Sequence, residues 1–257
     1  MEIVVCVKAV CMNPVRFELS EVGDGIDCGS RTLVMNEVDE YALEQALVMR
    51  EELGGSITVI SVGGLASQDA LYVAKAKGVD RVIRAAADYV DPVSVSEILA
   101  KVIERLHFDM VLTGVESSDN MTGQTGICLA EKLGLPFAYA VTAIDATSSC
   151  DFLTVRKELG GGVYQVLDIR LPAVLCIQSG IQPLKYTAPA RVLRARNEPL
   201  EVYSLQDLVP MAEGAVQPIR PKLVSLFKPE TTRKAEILEG EPSHIASVVI
   251  EKILEVC

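Results

Sequence analysis

Small and hydroxylated residues crowd one stretch of the chain, residues 113–126, which reads Thr-Gly-Val-Glu-Ser-Ser-Asp-Asn-Met-Thr-Gly-Gln-Thr-Gly. An apolar run that predicts a buried strand precedes it, and a helical pattern follows. Glycines let a ligand approach the backbone, and the N–H groups in the first turn of a helix attract phosphate. The stretch therefore predicts a phosphate-binding loop, with an ordinary glycine-rich connection as the alternative.

Polar residues also stand where other predicted strands end. Lys8 follows the first apolar run, Ser-Val-Gly-Gly at residues 61–64 ends another, and Asn-Glu-Val-Asp at residues 36–39 begins a helix. Each is a weak signal alone, because a lysine at a strand end is usually just solvated. Since the carboxyl ends of parallel strands share one edge of a sheet, we expect these groups to meet there. Together they favour a nucleotide site on that rim.

Other chemistry finds little support. The 113–126 loop is neither G-x-G-x-x-G nor a P-loop, which argues against triphosphate hydrolysis. The two histidines, His107 and His244, are too isolated for a metal pair or a nucleophile's base. Seven cysteines without a C-x-x-C pair indicate buried side chains in a reducing compartment, and neither a disulfide framework nor a zinc site.

The elements that must position the rim alternate along the chain. Apolar runs predict strands at residues 2–8, 56–61, 81–84 and 109–113, and helical patterns cover 37–53, 66–78, 92–106 and 122–134. Asn36 is the expected N-cap of the first helix. This alternation predicts βαβ units and a parallel sheet covered by helices on both faces.

Beyond residue 136 the pattern changes. Runs at 140–146, 152–156 and 163–169, joined by polar and Gly-Gly-Gly turns, predict an antiparallel ribbon, and 172–177 predicts one more buried strand. Prolines recur from residue 182 onward. We expect a nucleotide-binding domain over 1–196 and an extended arm over 197–257 that packs on a partner, with an apolar helix at 245–256.

Net charge and hydropathy argue against two kinds of binding partner, nucleic acid and a membrane. A net charge of −11 and a pI near 4.8 argue against nucleic acid, which needs clustered Lys and Arg. No stretch reaches the ~18 apolar residues of a membrane span, so we expect no insertion into a membrane. The chain opens with a core strand instead of a charged leader, which predicts a cytoplasmic protein.

Residues 155–176, Val-Arg-Lys-Glu-Leu-Gly-Gly-Gly-Val-Tyr-Gln-Val-Leu-Asp-Ile-Arg-Leu-Pro-Ala-Val-Leu-Cys, carry a resemblance. They are similar to the long diagnostic motif of electron-transfer flavoprotein beta subunits, with Gly160 where that motif has an acidic residue. The opening Val-x-Val-Lys, residues 35–44, 78–81, 114–126 and 185–195 also follow in family order. The resemblance covers nearly the whole chain.

This resemblance implies an adenine-nucleotide-binding α/β sandwich, Rossmann-like, with a β-ribbon and a C-terminal arm. It implies an electron-transfer subunit without substrate turnover of its own, in a heterodimer whose alpha subunit carries the redox-active FAD. The donor would be an acyl-CoA dehydrogenase type of protein in fatty acid oxidation. The acceptor would be membrane-bound or an iron–sulfur, quinone-linked protein. The beta subunit would hold AMP, or a second FAD in electron-bifurcating members.

Family motifs carried across to this sequence, together with the adjoining rim residues, give two sets of site residues. The nucleotide-contacting set is Cys6, Val7, Lys8, Asn36, Glu37, Val38, Asp39, Val62, Gly63, Gly114, Val115, Glu116, Ser117, Ser118, Asp119, Asn120, Met121, Thr122, Gly123, Gln124, Thr125 and Gly126. The partner-docking set, within residues 184–193, is Leu184, Lys185, Tyr186, Pro189, Arg191, Val192 and Leu193. An apolar anchor falls near Pro189, where a leucine is usual.

The loop favours AMP over a second FAD. Bifurcating relatives tend to show Asp-Gly-Asp-Thr-Ala-Gln-Val-Gly-Pro where this chain has residues 119–127, and Val-Pro-Asp-Thr where it has residues 10–13. The second acidic residue, the proline and the Pro-Asp-Thr are missing here, although Gly123 also replaces the asparagine of AMP-binding relatives. Two function classes outside this family are the alternatives. An adenylating enzyme would need a Ser-Gly-Gly-x-Asp-Ser loop near the N-terminus, which this chain does not have. A nucleotide-sensing module of the universal-stress kind would not explain the predicted antiparallel ribbon.

Overall fold

The computed structural model describes residues 1–11, 18–19, 26–27, 33–87, 91–145, 151–208, 224, 226–227 and 235–256. The chain divides into two compact units. The first comprises Met1–Glu18 with Asp27–Lys222, and the second comprises Leu19–Ile26 with Leu223–Cys257.

The strands are β1 (Glu2–Cys6), β2 (Ala9–Cys11), β3 (Glu18–Leu19), β4 (Ile26–Asp27), β5 (Leu33–Met35), β6 (Ser56–Gly63), β7 (Arg81–Ala86), β8 (Met110–Gly114), β9 (Phe137–Asp145), β10 (Phe152–Gly160), β11 (Val163–Arg170), β12 (Ala173–Ile177) and β13 (Glu201–Ser204). The helices are α1 (Glu37–Leu53), α2 (Gln68–Lys77), α3 (Pro92–Ile103), α4 (Thr125–Leu133), α5 (Pro189–Ala195), α6 (Leu205–Leu208) and α7 (Pro242–Val256). A 3₁₀ turn, Leu65–Ser67, precedes α2.

One nine-stranded sheet organises the first unit, in the order β11-β10-β9-β12-β8-β1-β6-β7-β13. Seven adjacent strands of this sheet run parallel, in the order β9-β12-β8-β1-β6-β7-β13. Strand β10 pairs antiparallel with both β9 and β11. This arrangement confirms the predicted α/β fold with its parallel sheet and antiparallel ribbon. The short pairs β2–β5 and β3–β4 form separate two-stranded sheets.

Two apolar layers cover the sheet. Leu43 of α1 and Leu71 of α2 pack on one face, and Leu99 of α3 and Leu129 of α4 pack on the other. The central strands therefore contact apolar side chains on both faces, and every residue of β12 is buried. This is why the strands read as continuous apolar runs in the sequence.

Several predicted boundaries hold closely, and some elements differ. The first helix covers the predicted residues 37–53. The expected arm began at residue 197, but β13 pairs with β7 at the edge of the main sheet, where Glu201 also accepts two hydrogen bonds from the Arg81 guanidinium. Helix α5 begins inside the predicted 184–193 loop, at Pro189, and ends just beyond it, at Ala195. Cys11 is disulfide-bonded, which the scattered cysteines did not predict.

The second unit contains α7, close to the helix predicted at 245–256. Its large apolar side chains Ile250, Ile253 and Leu254 are exposed, and Lys252 pairs with Glu236 at 2.6 Å. Contact of the arm with a partner stays a prediction. Residues 209–223, 225, 228–234 and 257 of the arm lie outside the described residues, as does Ala146 of the predicted ribbon. Within the described parts of the chain, every helix is too short or too polar to cross a membrane.

Candidate nucleotide-binding site

A cleft opens where β1, β6 and β8 end, at the carboxyl rim of the sheet. The cavity that it encloses has a volume of about 130 Å³. The lining residues are Cys6, Val7, Lys8, Asn36, Asp39, Val62, Pro92, Val95, Leu99, Thr113, Gly114, Val115, Glu116, Ser117, Asn120, Thr122, Gly123, Gln124 and Thr125. Parallel strands place this rim where ligands bind in open α/β sheets.

A buried carboxylate ties two of the strand ends together. Asp39, in the first turn of α1, accepts hydrogen bonds from the backbone N–H of Lys8 at 2.8 Å and of Gly114 at 3.0 Å. Gly114 has to be a glycine, because a Cβ there would overlap Oδ1 of Asp39 and lie 2.6 Å from Cγ2 of Val38. The floor of the cleft is thus fixed by the close approach of α1 to the ends of β1 and β8.

Burial dominates the electrostatics of this floor. Desolvation raises the pKa of Asp39 to about 7, against the opposing effect of its hydrogen bonds from Lys8, Asn36 and Gly114. The same burial, with Asp39 and Cys176 nearby, raises the pKa of Cys6 well above its ordinary value. Cys6 is therefore a protonated thiol at neutral pH and a poor nucleophile.

Residues from two other segments hold the loop that follows β8. Asn36 donates from Nδ2 to the carbonyl of Glu116 at 2.8 Å and accepts from the N–H of Ser118 at 3.1 Å. Lys8 donates from Nζ to Asp119 Oδ1 at 2.6 Å and to Ser117 Oγ at 3.2 Å. Asn36 occupies the predicted N-cap position but makes no side-chain cap bond, because its amide is engaged by the loop.

The loop leads directly into α4, whose N-terminus faces the cleft. Gly123 has a positive φ of 61°, and a Cβ there would lie 2.7 Å from the Tyr139 hydroxyl. Thr122, Gln124 and Thr125 line the cleft at this point. The first N–H groups of a helix have no partner within the helix and carry its positive dipole, so this corner suits an anion.

An apolar wall on α3 completes the cleft, and the sequence reasoning missed it. Pro92, Val95 and Leu99 lie at positions i, i+3 and i+7 of α3, which is one helical face. The Asp91 carboxylate begins the helix by accepting from the N–H groups of Val93 and Ser94. Helical spacing of apolar residues was visible in the sequence, but such a face usually signals core packing.

Fifteen of the predicted nucleotide-contacting residues line the cleft. The other seven do not: Glu37, Val38, Gly63, Ser118, Asp119, Met121 and Gly126. Asp119 and Ser118 instead bind Lys8 and Asn36. Gly126 allows α4 to pack closely, because a Cβ there would lie 2.5 Å from Cys176 Sγ and 2.6 Å from Thr113 Oγ1.

The residues predicted to dock a partner lie elsewhere in the first unit. Leu184, Lys185, Tyr186 and Val192 line a second groove together with β5 and α2. Tyr186 is 85% exposed and Leu193 is 67% exposed, while Pro189 is the first residue of α5. We call residues 184–193 the docking segment.

Comparison with known proteins places the chain among relatives of similar length. A family model described as "Electron transfer flavoprotein domain" matches residues 29–208. The chain is similar to "Electron transfer flavoprotein subunit beta" of Methylophilus methylotrophus, 34% identical over 99% of this chain and 98% of the relative. The protein of that name in Bacillus subtilis is 29% identical over 90% and 89%. "Protein FixA" of Azorhizobium caulinodans is 28% identical over 80% and 76%.

Proposed function

The chain belongs to the family of electron transfer flavoprotein beta subunits, and from this premise we propose that it is the small subunit of a heterodimeric electron carrier. Its larger partner holds the redox-active FAD. The pair accepts electrons from acyl-CoA dehydrogenase-type donors and passes them to a quinone-linked acceptor. This chain contributes a nucleotide site and a docking surface, and no substrate is turned over on it.

The nucleotide in the cleft is AMP. The observation that carries this proposal is the pairing of the α4 N-terminus with the apolar wall of α3 across one cleft. The free N–H groups of α4, the Thr122 hydroxyl and the Gln124 amide suit a phosphate. Pro92, Val95 and Leu99 suit the face of an adenine ring.

The charges of the cleft agree with a small, singly phosphorylated ligand. Among the lining residues Lys8 is the one cation, and its ammonium is already paired with Asp119 at 2.6 Å. Within the described part of the cleft, phosphate recognition therefore depends on backbone N–H groups and neutral side chains, without a free lysine or arginine. AMP held in this way fills the cleft and steadies the loop after β8, and no electron passes through it.

Acid extraction of the purified heterodimer tests the proposal. We expect FAD and AMP in equal amounts after chromatography of the released nucleotides. Two FAD with no AMP would refute AMP and identify the alternative, a beta subunit of a bifurcating flavoprotein. A heterodimer that carries no adenine nucleotide besides the single FAD would refute the site itself.

A matched pair of variants locates the AMP. Thr125→Val replaces the hydroxyl of a cleft residue at the first position of α4 and should lower the AMP content while FAD stays unchanged. Thr142→Val makes the same replacement on β9, away from the cleft residues, and should retain both nucleotides.

A further inference from the structure

A buried ion pair lies beneath the docking segment. Lys77, the last residue of α2, donates from Nζ to Glu44 Oε1 of α1 at 2.5 Å, and their side chains are only 4% and 1% exposed. Lys77 Nζ also lies 3.0 Å from Oε1 of Glu40, one helical turn earlier. The pair therefore joins α1 to α2 in a place that water barely reaches.

Both members of the pair also bind the backbone of one residue in the docking segment. Glu44 Oε1 accepts from the N–H of Lys185 at 3.2 Å, and Lys77 Nζ donates to the carbonyl of Lys185 at 2.9 Å. The Glu44 carboxylate and the Lys77 ammonium thus bind both backbone polar groups of a single residue, Lys185. Whatever side chain stands at position 185, its backbone would be held in the same place.

A buried ion pair is a poor choice if helix packing were its purpose. Removing two charges from water costs about as much as their attraction returns, and apolar side chains of the same volume often stabilise a fold more. A buried ion pair is useful where its charged groups also bind a third group. Here the groups it binds are the backbone N–H and C=O of Lys185.

The other side-chain contacts near the docking segment restrain it less. Lys185 Nζ and Glu51 are 3.8 Å apart, and both side chains are largely exposed, so solvent screens their attraction. Gln182 donates to Gln45 at 3.0 Å, and Arg196 pairs with Asp69 at 2.8 Å with Arg196 half exposed. Of these contacts, the Glu44–Lys77 ion pair is the one in which both partners are charged and buried.

We propose that Glu44 and Lys77 are positioning residues for the docking segment, clamping Lys185 so that the exposed side chains beside it face a partner in one fixed arrangement. The inference rests on the docking role proposed for residues 184–193. It assigns a share of the partner affinity to two residues that are buried beneath the segment.

Limited trypsin digestion of the heterodimer tests the clamp, because Lys185, Arg191 and Arg194 are cleavage sites inside or next to the segment. Lys77→Met keeps the length of the side chain and removes its charge. Cleavage after Lys185 and Arg191 should accelerate by at least about tenfold, as expected when a local opening becomes easier. Lys101→Met, which removes the lysine of the exposed Lys101–Glu104 pair on α3, should leave these rates unchanged.

Glu44→Gln is the second variant, since it keeps the shape of the side chain if Lys77→Met does not fold. It should also accelerate cleavage in the segment. Unchanged cleavage in both folded variants, or cleavage that rises equally throughout the chain, would overturn the clamp. The second outcome would mean that the pair serves global stability alone.

Electron transfer separates the clamp from the docking role. With a reduced medium-chain acyl-CoA dehydrogenase as the probe, both variants should raise the half-saturating concentration of dehydrogenase several-fold. Reduction of the FAD by dithionite, which needs no docking, should stay unchanged. A segment that loosens without any change in half-saturation would support the clamp and refute docking by residues 184–193.

Discussion

Replacing Gly114 by alanine should disorder the cleft, because the added Cβ occupies space held by the Asp39 carboxylate. It would overlap Oδ1 and also lie 3.0 Å from the backbone nitrogen of Asp39. Asp39 then has to turn away from the N–H groups of Lys8 and Gly114, to which it is bonded at 2.8 and 3.0 Å. The substitution therefore combines overpacking with the loss of charge-assisted hydrogen bonds.

The magnitude follows from these two effects. Overpacking a core costs about 1–3 kcal/mol, and a hydrogen bond to a charged group contributes about 1.5–3 kcal/mol. Partial relaxation of α1 reduces the sum, so we expect a loss of about 3 kcal/mol in the free energy of unfolding. For a chain of this size that corresponds to a fall in Tm of roughly 6–12 °C.

Thermal unfolding followed by circular dichroism at about pH 8.5, where Asp39 with its pKa of about 7 is ionised, measures the effect, and nucleotide extraction should show that AMP is lost as well. Gly64→Ala, one residue beyond the end of β6, is the matched control. Gly64 has an ordinary φ of −68°, and a Cβ there meets nothing within 4 Å. A Tm for Gly114→Ala equal to that of the control, with AMP retained, would refute the close-approach argument.

Three further outcomes are expected. Asp39→Asn should gain stability relative to the natural chain as pH rises from 4 to 7. The reason is that the pKa of Asp39 is about 7 in the folded chain against an ordinary 3.8, so its favourable proton binding is lost over that window. The free energies of unfolding of the two proteins, measured by urea titration at each pH, should diverge by at least about 1 kcal/mol, and parallel curves would contradict the burial of the carboxyl. Leu184→Glu in the docking segment should slow reduction by a dehydrogenase by about tenfold with flavin content intact, whereas Leu205→Glu on α6 should not; loss of flavin would mean that the segment has another role. Ile253→Asp on the exposed apolar side of α7 should weaken assembly with the larger subunit in size-exclusion chromatography, and Glu255→Lys on the opposite side of the same helix should assemble normally; equal assembly of both would remove α7 from the interface.

Local signals predicted much of the fold. The first helix matches its expected bounds, because acidic residues at its start and Gly54 at its end delimit an apolar pattern. The loop after β8 was recognisable because glycines and hydroxyls there follow an apolar run. These features depend on residues close together in the sequence.

Features built from distant residues could not be predicted in the same way. β13 is four residues long, and it joins the sheet by pairing with β7, where Arg81 binds Glu201 across 120 residues of sequence. The Asn36 side chain looked like a helix cap, but it binds a loop 80 residues away. Its chemistry was predictable, whereas the choice between two possible partners depended on the tertiary fold.

Helix α1 connects the cleft to the docking segment. Asp39 in its first turn anchors the nucleotide cleft, and Glu44 anchors Lys185. The two residues are about 7.5 Å apart along the helix axis at 1.5 Å per residue. If a partner that pulls on the docking segment also tilts α1, it would strain the cleft. Thermodynamic reciprocity would then require that a nucleotide in the cleft change the affinity for the partner by the same factor as the partner changes the affinity for the nucleotide. A nucleotide bound there would in that case alter how long each partner stays bound.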